Sequence, residues 1–137
     1  MYQEALPTIK PDDVLCNHSL FTEHLANLMN GLLFDMHHDT ATSITKCIDE
    51  INQNREIIEM CRTFIRDAVD NITDENKAYY CNKMQQKVAL MRRKTLQNDK
   101  NERQLEKLQK TYTLVRRELR QRGMEMVDEC NVDIVEG

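Results

Sequence analysis

The stretch IDEINQNREIIEMCRTFI, residues 48–65, decides the fold because it holds the centre of a strict seven-residue repeat. Isoleucine stands at five positions that are seven residues apart: Ile44, Ile51, Ile58, Ile65 and Ile72. A straight α-helix has about 3.6 residues per turn, so a seven-residue spacing drifts around it unless a second helix winds alongside. The repeat therefore predicts a helix that packs against other helices with heptad geometry.

The residues beside the isoleucines predict how that helix packs. With the isoleucines at heptad position a, the d positions hold small or polar residues: Cys47, Asn54, Cys61 and Ala68. The flanking e and g positions add apolar residues: Ile48, Ile57, Phe64 and Val69. This surface is wider than a two-stranded seam and suits a helix between two neighbours, such as the first helix and a partner chain. A buried Asn54 needs a polar partner and is predicted to set the register.

Composition predicts an all-α chain. The 137 residues include three glycines and two prolines, and both prolines, Pro7 and Pro11, precede the first predicted helix. No stretch alternates apolar and polar residues with enrichment in β-branched residues, as a strand does. We expect short N-terminal helices followed by a long helix in an elongated coiled coil. The predicted boundaries are a flexible tail over 1–11, a helical module over 12–130 and a second flexible tail over 131–137.

Polar residues mark the predicted helix ends. Apolar residues recur from the first predicted helical residues to Met36, and HHDTAT, residues 37–42, predicts a break with Asp39 or Thr40 as the next cap. A second helix is expected over 42–72. Thr73 is expected to cap a third helix over 74–128.

The third helix carries its own predicted seam, with residues at spacings of three and four: Met84, Val88, Met91, Thr95, Asn98, Glu102, Leu105, Leu108, Tyr112, Val115, Leu119 and Met126. Two three-residue steps in succession, 102–105–108, predict a stammer, and the polar patch 98–102 leaves a break open. At about 55 residues this helix is too long to be covered by the earlier helices. Its distal seam is then expected to stay exposed and to bind a partner.

The isoleucine ladder and the apolar seam of the third helix together form the predicted partner-binding set: Ile44, Ile51, Ile58, Ile65, Ile72, Met84, Val88, Met91, Leu105, Leu108, Tyr112, Val115 and Leu119. The expected partner is a larger coiled-coil protein, in a heterodimer within a multiprotein complex. The alternative explanation of the ladder is the core of a self-contained three-helix bundle.

Charge divides the chain into three parts. Residues 1–82 carry six basic and fourteen acidic side chains, residues 83–122 carry thirteen basic and four acidic, and residues 123–137 carry five acidic. The basic stretch could bind nucleic acid or an acidic membrane as a helical bundle, which is the second hypothesis. Tyr112 is its only aromatic residue, so base stacking is poorly supported and nucleic-acid binding is not expected. A basic helix face in water, or against an acidic partner helix, is favoured.

The sequence holds no pattern typical of catalysis. Cys-x-x-Cys and His-Glu-x-x-His are absent, the adjacent His37 and His38 point about 100° apart on a helix, and no glycine-rich loop could bind phosphate. We therefore expect no enzymatic activity, no cofactor, no metal and no small-molecule substrate. Five scattered cysteines, the absence of an apolar leader in residues 1–10 and the absence of an apolar run of about 18 residues predict a cytoplasmic protein without a membrane span.

The second predicted helix resembles a known family at several positions: Asp49, Ile51, Gln53, Ile57, Ile58, Phe64 and Ile65. It is similar to the twenty-kilodalton subunit of the intraflagellar transport B complex, and the acidic-apolar end MVDECNVDIVEG, residues 126–137, matches that family's short tail. The resemblance implies a parallel coil with a larger microtubule-associated subunit, a role in cilium assembly, and location at the cilium, basal body and Golgi. A kinetochore, centrosome or vesicle-tether subunit is the alternative within the same mechanism.

Overall fold

A computed structural model describes residues 18–124 of the chain, which form three helices. They are α1 (His18–Ala26), α2 (Asn30–Asn71) and α3 (Lys77–Gln121). The described residues contain no strand, which confirms the all-α prediction. The second helix is longer than the sequence predicts, since one short helix precedes two long ones of 42 and 45 residues. The predicted tails and Met126 lie outside the described residues.

The chain forms two compact units. The first, here the three-helix unit, comprises residues 1–47 and 104–137, and the second, the hairpin unit, comprises residues 48–103. The described part of the three-helix unit contains α1, the first half of α2 and the last half of α3. The hairpin unit contains the second half of α2, the connection 72–76 and the first half of α3.

The turn between the first two described helices comes earlier than the sequence predicts. The prediction that the first helix reaches Met36 is wrong, because α1 ends at Ala26 and α2 begins at Asn30. Asn27 closes the end of α1, since its Nδ2 donates a hydrogen bond of 2.9 Å to the backbone carbonyl of Glu23. This bond satisfies one of the carbonyls that every helix leaves unpaired at its C-terminus.

Residues 37–42 lie inside α2, so the predicted break and the predicted cap at Asp39 or Thr40 are wrong. His37 and Thr40 face the interior, with 2% and 7% of their surface exposed. Thr42 turns its hydroxyl back to donate to the carbonyl four residues earlier, at 3.1 Å. Polar residues can therefore continue a helix here, because their side chains bond the helix backbone or pack in the interior.

The core of the three-helix unit draws on all three helices, and its buried apolar residues are Phe21, Leu25, Leu33, Leu114, Val115 and Leu119. Val115 and Leu119 belong to the distal seam of α3, and both are fully buried. The prediction that this seam stays exposed is wrong. It assumed a second helix of about thirty residues, whereas α2 has 42 and its first half packs beside α1 in this unit.

The connection between α2 and α3 is closed by reciprocal hydrogen bonds. The backbone N–H of Asn76 donates to the Thr73 hydroxyl at 3.3 Å, and the backbone N–H of Thr73 donates to Asn76 Oδ1 at 2.7 Å. This arrangement is a capping box and confirms the predicted cap at Thr73. Asn76 Nδ2 also donates to the carbonyl of Asn71 at 3.2 Å, so one side chain serves both helix ends.

Helix α3 keeps a regular alternation of four- and three-residue steps. The buried and half-buried row runs through Tyr80, Met84, Lys87, Met91, Lys94, Asn98, Asn101, Leu105, Leu108, Tyr112, Val115 and Leu119. Val88, Thr95 and Glu102, which the sequence assigns to this row, are exposed beside it. The predicted stammer is therefore wrong, and residues 98–102 are continuous helix. Sequence reasoning preferred Val88 to Lys87 because it did not allow for lysine stems that lie across a seam.

The isoleucine ladder forms the α2 side of the seam in the hairpin unit. The buried residues there alternate between positions a and d: Ile51, Asn54, Ile58, Cys61 and Ala68. The predicted heptad assignment is confirmed over this range. The ladder weakens toward the connection, since Ile65 is half-buried and Ile72 has 38% of its surface exposed.

Candidate partner-binding surface

Two buried asparagines fix the register of the hairpin unit. Asn54 Nδ2 donates to Asn98 Oδ1 at 2.8 Å, and Asn98 Nδ2 donates to the backbone carbonyl of Ile51 at 3.1 Å. Exposure is 3% for Asn54 and 6% for Asn98. The prediction that Asn54 finds a polar partner is confirmed, and that partner is α3 of the same chain. Sliding the helices by a heptad would separate the two amides in an apolar seam, which is costly.

The structure places the predicted partner-binding residues at very different depths. Six are buried within the chain: Ile44, Ile51, Ile58, Tyr112, Val115 and Leu119. Five are half-buried: Ile65, Met84, Met91, Leu105 and Leu108. Only Ile72 and Val88 are exposed, at 38% and 36%. A buried side chain cannot contact a partner unless the helices separate, so the uncovered surface lies at the flanks of the seam.

One flank of the hairpin unit, here the arginine flank, contains the e positions of both helices. Arg55 Nη2 lies 3.3 Å from Glu102 Oε2, which places these e positions on one side. One heptad further along each helix, Arg62 lies opposite Thr95, and two heptads further Val69 lies opposite Val88. The flank carries four arginines, Arg55, Arg62, Arg66 and Arg92, and a groove lined by Cys81, Met84, Gln85, Val88, Ala89 and Arg92.

Glutamates neutralise the arginine flank only in part. Glu59 Oε1 lies 3.6 Å from Arg62, and its Oε2 lies 3.9 Å from Arg66. These side chains are about 60% exposed or more, so each pair adds little stability because water screens it. With four arginines against Glu59, Asp99 and Glu102, the flank keeps a net positive charge. It presents apolar residues beside that charge.

The opposite flank, here the mixed-charge flank, contains the g and c positions of the hairpin unit. Phe64 defines it, since its ring lies 6.4 Å from the Tyr80 ring and 5.3 Å from Lys87 Nζ. An open groove extends from this flank across the outer face of α2 as far as Glu59, and it is lined by Glu56, Glu59, Met60, Thr63, Phe64 and Asp67. By heptad position, α3 adds Lys83, Leu90 and Arg93 to this side. The α2 edge is therefore acidic, and the α3 edge is basic.

The hairpin unit leaves large apolar side chains uncovered: Met60 at 71%, Val69 at 58%, Tyr79 at 58% and Leu96 at 63%. The three-helix unit has α1 over its long helices, whereas the described part of the hairpin unit has two helices only. Two helices can bury one seam between them but neither flank. The sequence signal for this surface is the apolar content of the e and g positions, which predicts a further neighbour.

Arg122 is a structural residue that sequence reasoning assigned to a basic patch. Its Nη2 donates to the carbonyls of Leu25 and Ala26 at 3.0 and 3.2 Å, and its Nη1 donates to Asn30 Oδ1 at 2.8 Å. Glu118 Oε2 accepts from its Nε at 2.8 Å and holds the guanidinium in place. A cation at the C-terminus of α1 satisfies free carbonyls and complements the helix dipole. Nothing in the spacing of the sequence indicates this contact.

Other residues of the basic stretch 83–122 also pack within their own unit. Arg116 lies over the Tyr112 ring, with its Cζ 5.9 Å from the centroid, and Lys83 Nζ lies 5.8 Å from the Tyr79 ring. These contacts favour a structural role for part of the stretch over a uniform surface for phosphate. Binding of nucleic acid or membrane through the stretch stays the second hypothesis, and steep weakening of binding by salt would be its sign.

The side chain of His37 is buried in the three-helix unit. His37 lies seven residues before Ile44, and its ring stacks on Tyr112 at 4.7 Å between centroids with an interplanar angle of 28°. His37 is therefore not at a helix end, where the predicted break over residues 37–42 would put it. Within residues 18–124, no group of three or more His, Cys, Asp or Glu side chains could hold a metal ion.

No helix in the described range is both long enough and apolar enough to cross a membrane. Comparison with protein-family models, with curated proteins and with solved structures gives no match.

Proposed function

We propose that the chain is a non-catalytic helical subunit of a multiprotein assembly, and that a helix of a larger coiled-coil protein packs on its arginine flank. The observation that carries the proposal is the exposed apolar surface of the hairpin unit. Val69 is 58% exposed, and the same flank holds Val88, which is 36% exposed. A third helix on this flank would cover them, as α1 covers the long helices of the three-helix unit.

Charge determines the chemistry of the proposed partner. Four arginines line the flank, and a helix with acidic residues beside its apolar face would pair with them. Arg55 and Arg62 are more than half exposed, so they are free to rotate toward a partner. The apolar residues of the same flank, Val69 and Val88, would supply most of the affinity, and the charges would set the orientation of the partner helix.

The wider setting is also a proposal. The resemblance of α2 to the twenty-kilodalton subunit of the intraflagellar transport B complex favours a larger subunit of that complex as the partner. The resemblance implies a location at the cilium and basal body and a Golgi pool, within the cytoplasmic setting that the composition predicts. A kinetochore, centrosome or vesicle-tether assembly would use the same surface with a different partner.

The test is affinity purification of the tagged full chain from ciliated cells, with mass spectrometry of what is retained. We expect a long coiled-coil protein in stoichiometric amount. Val69→Asp should abolish its recovery, because an acidic residue would repel the acidic partner helix and remove apolar contact. Thr63→Asp is the matched control, since Thr63 is exposed on the same helix away from the arginine flank. Equal recovery with both variants, or no partner for the wild type, would reject the proposal.

A further inference from the structure

The mixed-charge flank is self-complementary. Within the hairpin unit, residues 48–71 of α2 carry six acidic and three basic side chains, whereas residues 77–103 carry eight basic and two acidic. On this flank the acidic edge holds Glu56 and Asp67, and the basic edge holds Lys83 and Arg93. A surface with opposite charges on its two edges matches a second copy of itself, rotated by half a turn.

From this surface we infer that two copies of the chain pair through their mixed-charge flanks, with the two hairpin units forming an antiparallel four-helix bundle. The inference goes beyond the proposed function, because it uses the flank opposite the arginine flank. Both flanks could then be occupied at once, one by a second copy and the other by a partner helix.

Two-fold symmetry sets which residues meet. With the axis parallel to the helices, α2 of one copy lies beside α3 of the second copy and antiparallel to it, as in bundles built from two helical hairpins. Each α2 residue then meets the level of α3 that it faces in its own hairpin. Phe64 lies between Tyr80 and Lys87 in its own hairpin, which fixes that level near Lys83.

This register brings opposite charges and apolar residues together. Asp67 of one copy lies opposite Lys83 of the other, and one heptad away Met60 lies opposite Leu90. Glu56 meets Arg93 at the far end of the contact. Every contact occurs twice because of the symmetry. Met60 is 71% exposed in the single chain, so the pairing would bury apolar surface that is otherwise in water.

The charge pattern permits a sharp test by light scattering of the purified full chain after size exclusion. We expect the wild type at twice the chain mass of 16.2 kDa. The variant Glu56→Lys/Asp67→Lys has two basic edges, and Lys83→Glu/Arg93→Glu has two acidic edges, so each alone should run at 16.2 kDa. An equimolar mixture should return to twice that mass, because each basic edge then meets an acidic one.

Three results would overturn the inference: a wild type of single mass at high micromolar concentration, swapped variants that remain dimeric, or a mixture that stays monomeric. Circular dichroism of each variant separates loss of pairing from loss of folding. The substituted side chains are exposed or half-buried, so we expect the helix content to be unchanged.

Two exposed methionines give a matched pair for the apolar contact. Met60→Ser should weaken the dimer by at least about tenfold, since its apolar surface is lost from both sides of the interface. Met29→Ser is the control, because Met29 is 74% exposed in the three-helix unit and should leave the dimer unchanged. Equal effects of the two substitutions would contradict the assignment of the interface to the mixed-charge flank.

Discussion

The buried asparagine pair allows the packing of the hairpin unit to be tested energetically. Asn98→Leu removes two hydrogen bonds, the 2.8 Å bond from Asn54 and the 3.1 Å bond to Ile51, and leaves the Asn54 amide in an apolar seam. Asn54→Leu removes the first bond only. A net hydrogen bond contributes about 1 kcal/mol, and a buried polar group without a partner costs about 1–3 kcal/mol. Each single variant leaves one buried amide without its partner, and Asn98→Leu also loses the bond to Ile51, so we expect losses of about 2–4 kcal/mol for Asn98→Leu and about 1–3 kcal/mol for Asn54→Leu.

The double variant distinguishes the pair from two independent sites. Replacing both partners by leucine leaves no unsatisfied amide, so stability should return to within about 1 kcal/mol of the wild type. The assay is equilibrium urea unfolding, monitored by circular dichroism of the helix band at about 222 nm. Asn82→Leu is the control, because Asn82 is exposed on α3 and its substitution should be close to neutral.

Two outcomes would refute this reasoning. If the double variant loses the sum of the two single losses, the amides act independently and do not form a pair. If Asn54→Leu costs more than Asn98→Leu, the hydrogen bond between Asn98 and the carbonyl of Ile51 contributes nothing.

Three further predictions concern other sites. Arg122→Lys should lower the free energy of unfolding by about 1–3 kcal/mol in urea titration, because an ammonium cannot bond the α1 carbonyls, Asn30 and Glu118 together; a neutral result would mean that the cap is dispensable. Ile58→Asp should abolish partner binding. Because the Ile58 side chain is only 8% exposed, the buried carboxylate should unfold the hairpin unit, and circular dichroism should show a loss of helix signal. Cys81 should react with a thiol reagent in the native chain, whereas Cys61, at 2% exposure, should react only on unfolding; equal rates would contradict the seam.

The heptad pattern alone predicted the helical fold and the residues of the main seam, because a period of seven residues depends only on which side chains avoid water. Asn54 shows the strength of this reasoning: its place at d and its need for a polar partner both follow from the pattern. The identity of the partner does not follow, because Asn98 lies 44 positions away and only tertiary packing brings the two amides together.

The predictions of helix boundaries and of the α3 seam failed where a polar side chain is buried or half-buried. His37 looked like a helix end, yet it stacks on Tyr112, and Lys87 looked like a surface residue, yet its amine lies over Phe64. A rule that assigns polar residues to solvent misses stacked rings and long stems. From these errors came a false break in α2 and a false stammer in α3, and therefore the mistaken expectation of an exposed distal seam.

The candidate surface was only partly accessible to sequence reasoning. Ile57, Phe64 and Val69 at flanking positions correctly indicated an apolar surface wider than one seam. The sequence could not predict which ladder residues remain exposed to a partner, because their burial depends on whether a third helix packs against the two long ones. In the three-helix unit α1 supplies it, and the spacing of Phe21 and Leu25 alone does not say which part of the long helices α1 covers.

The most direct test of the central claim is site-specific photo-crosslinking in the purified complex. A photoreactive phenylalanine analogue at position 69 should cross-link to a partner helix with acidic residues beside its apolar face, because Val69 is the most exposed large apolar residue of the arginine flank. The same analogue at position 63 should give no such product. Cross-links to the partner from position 63 and none from position 69 would contradict the account.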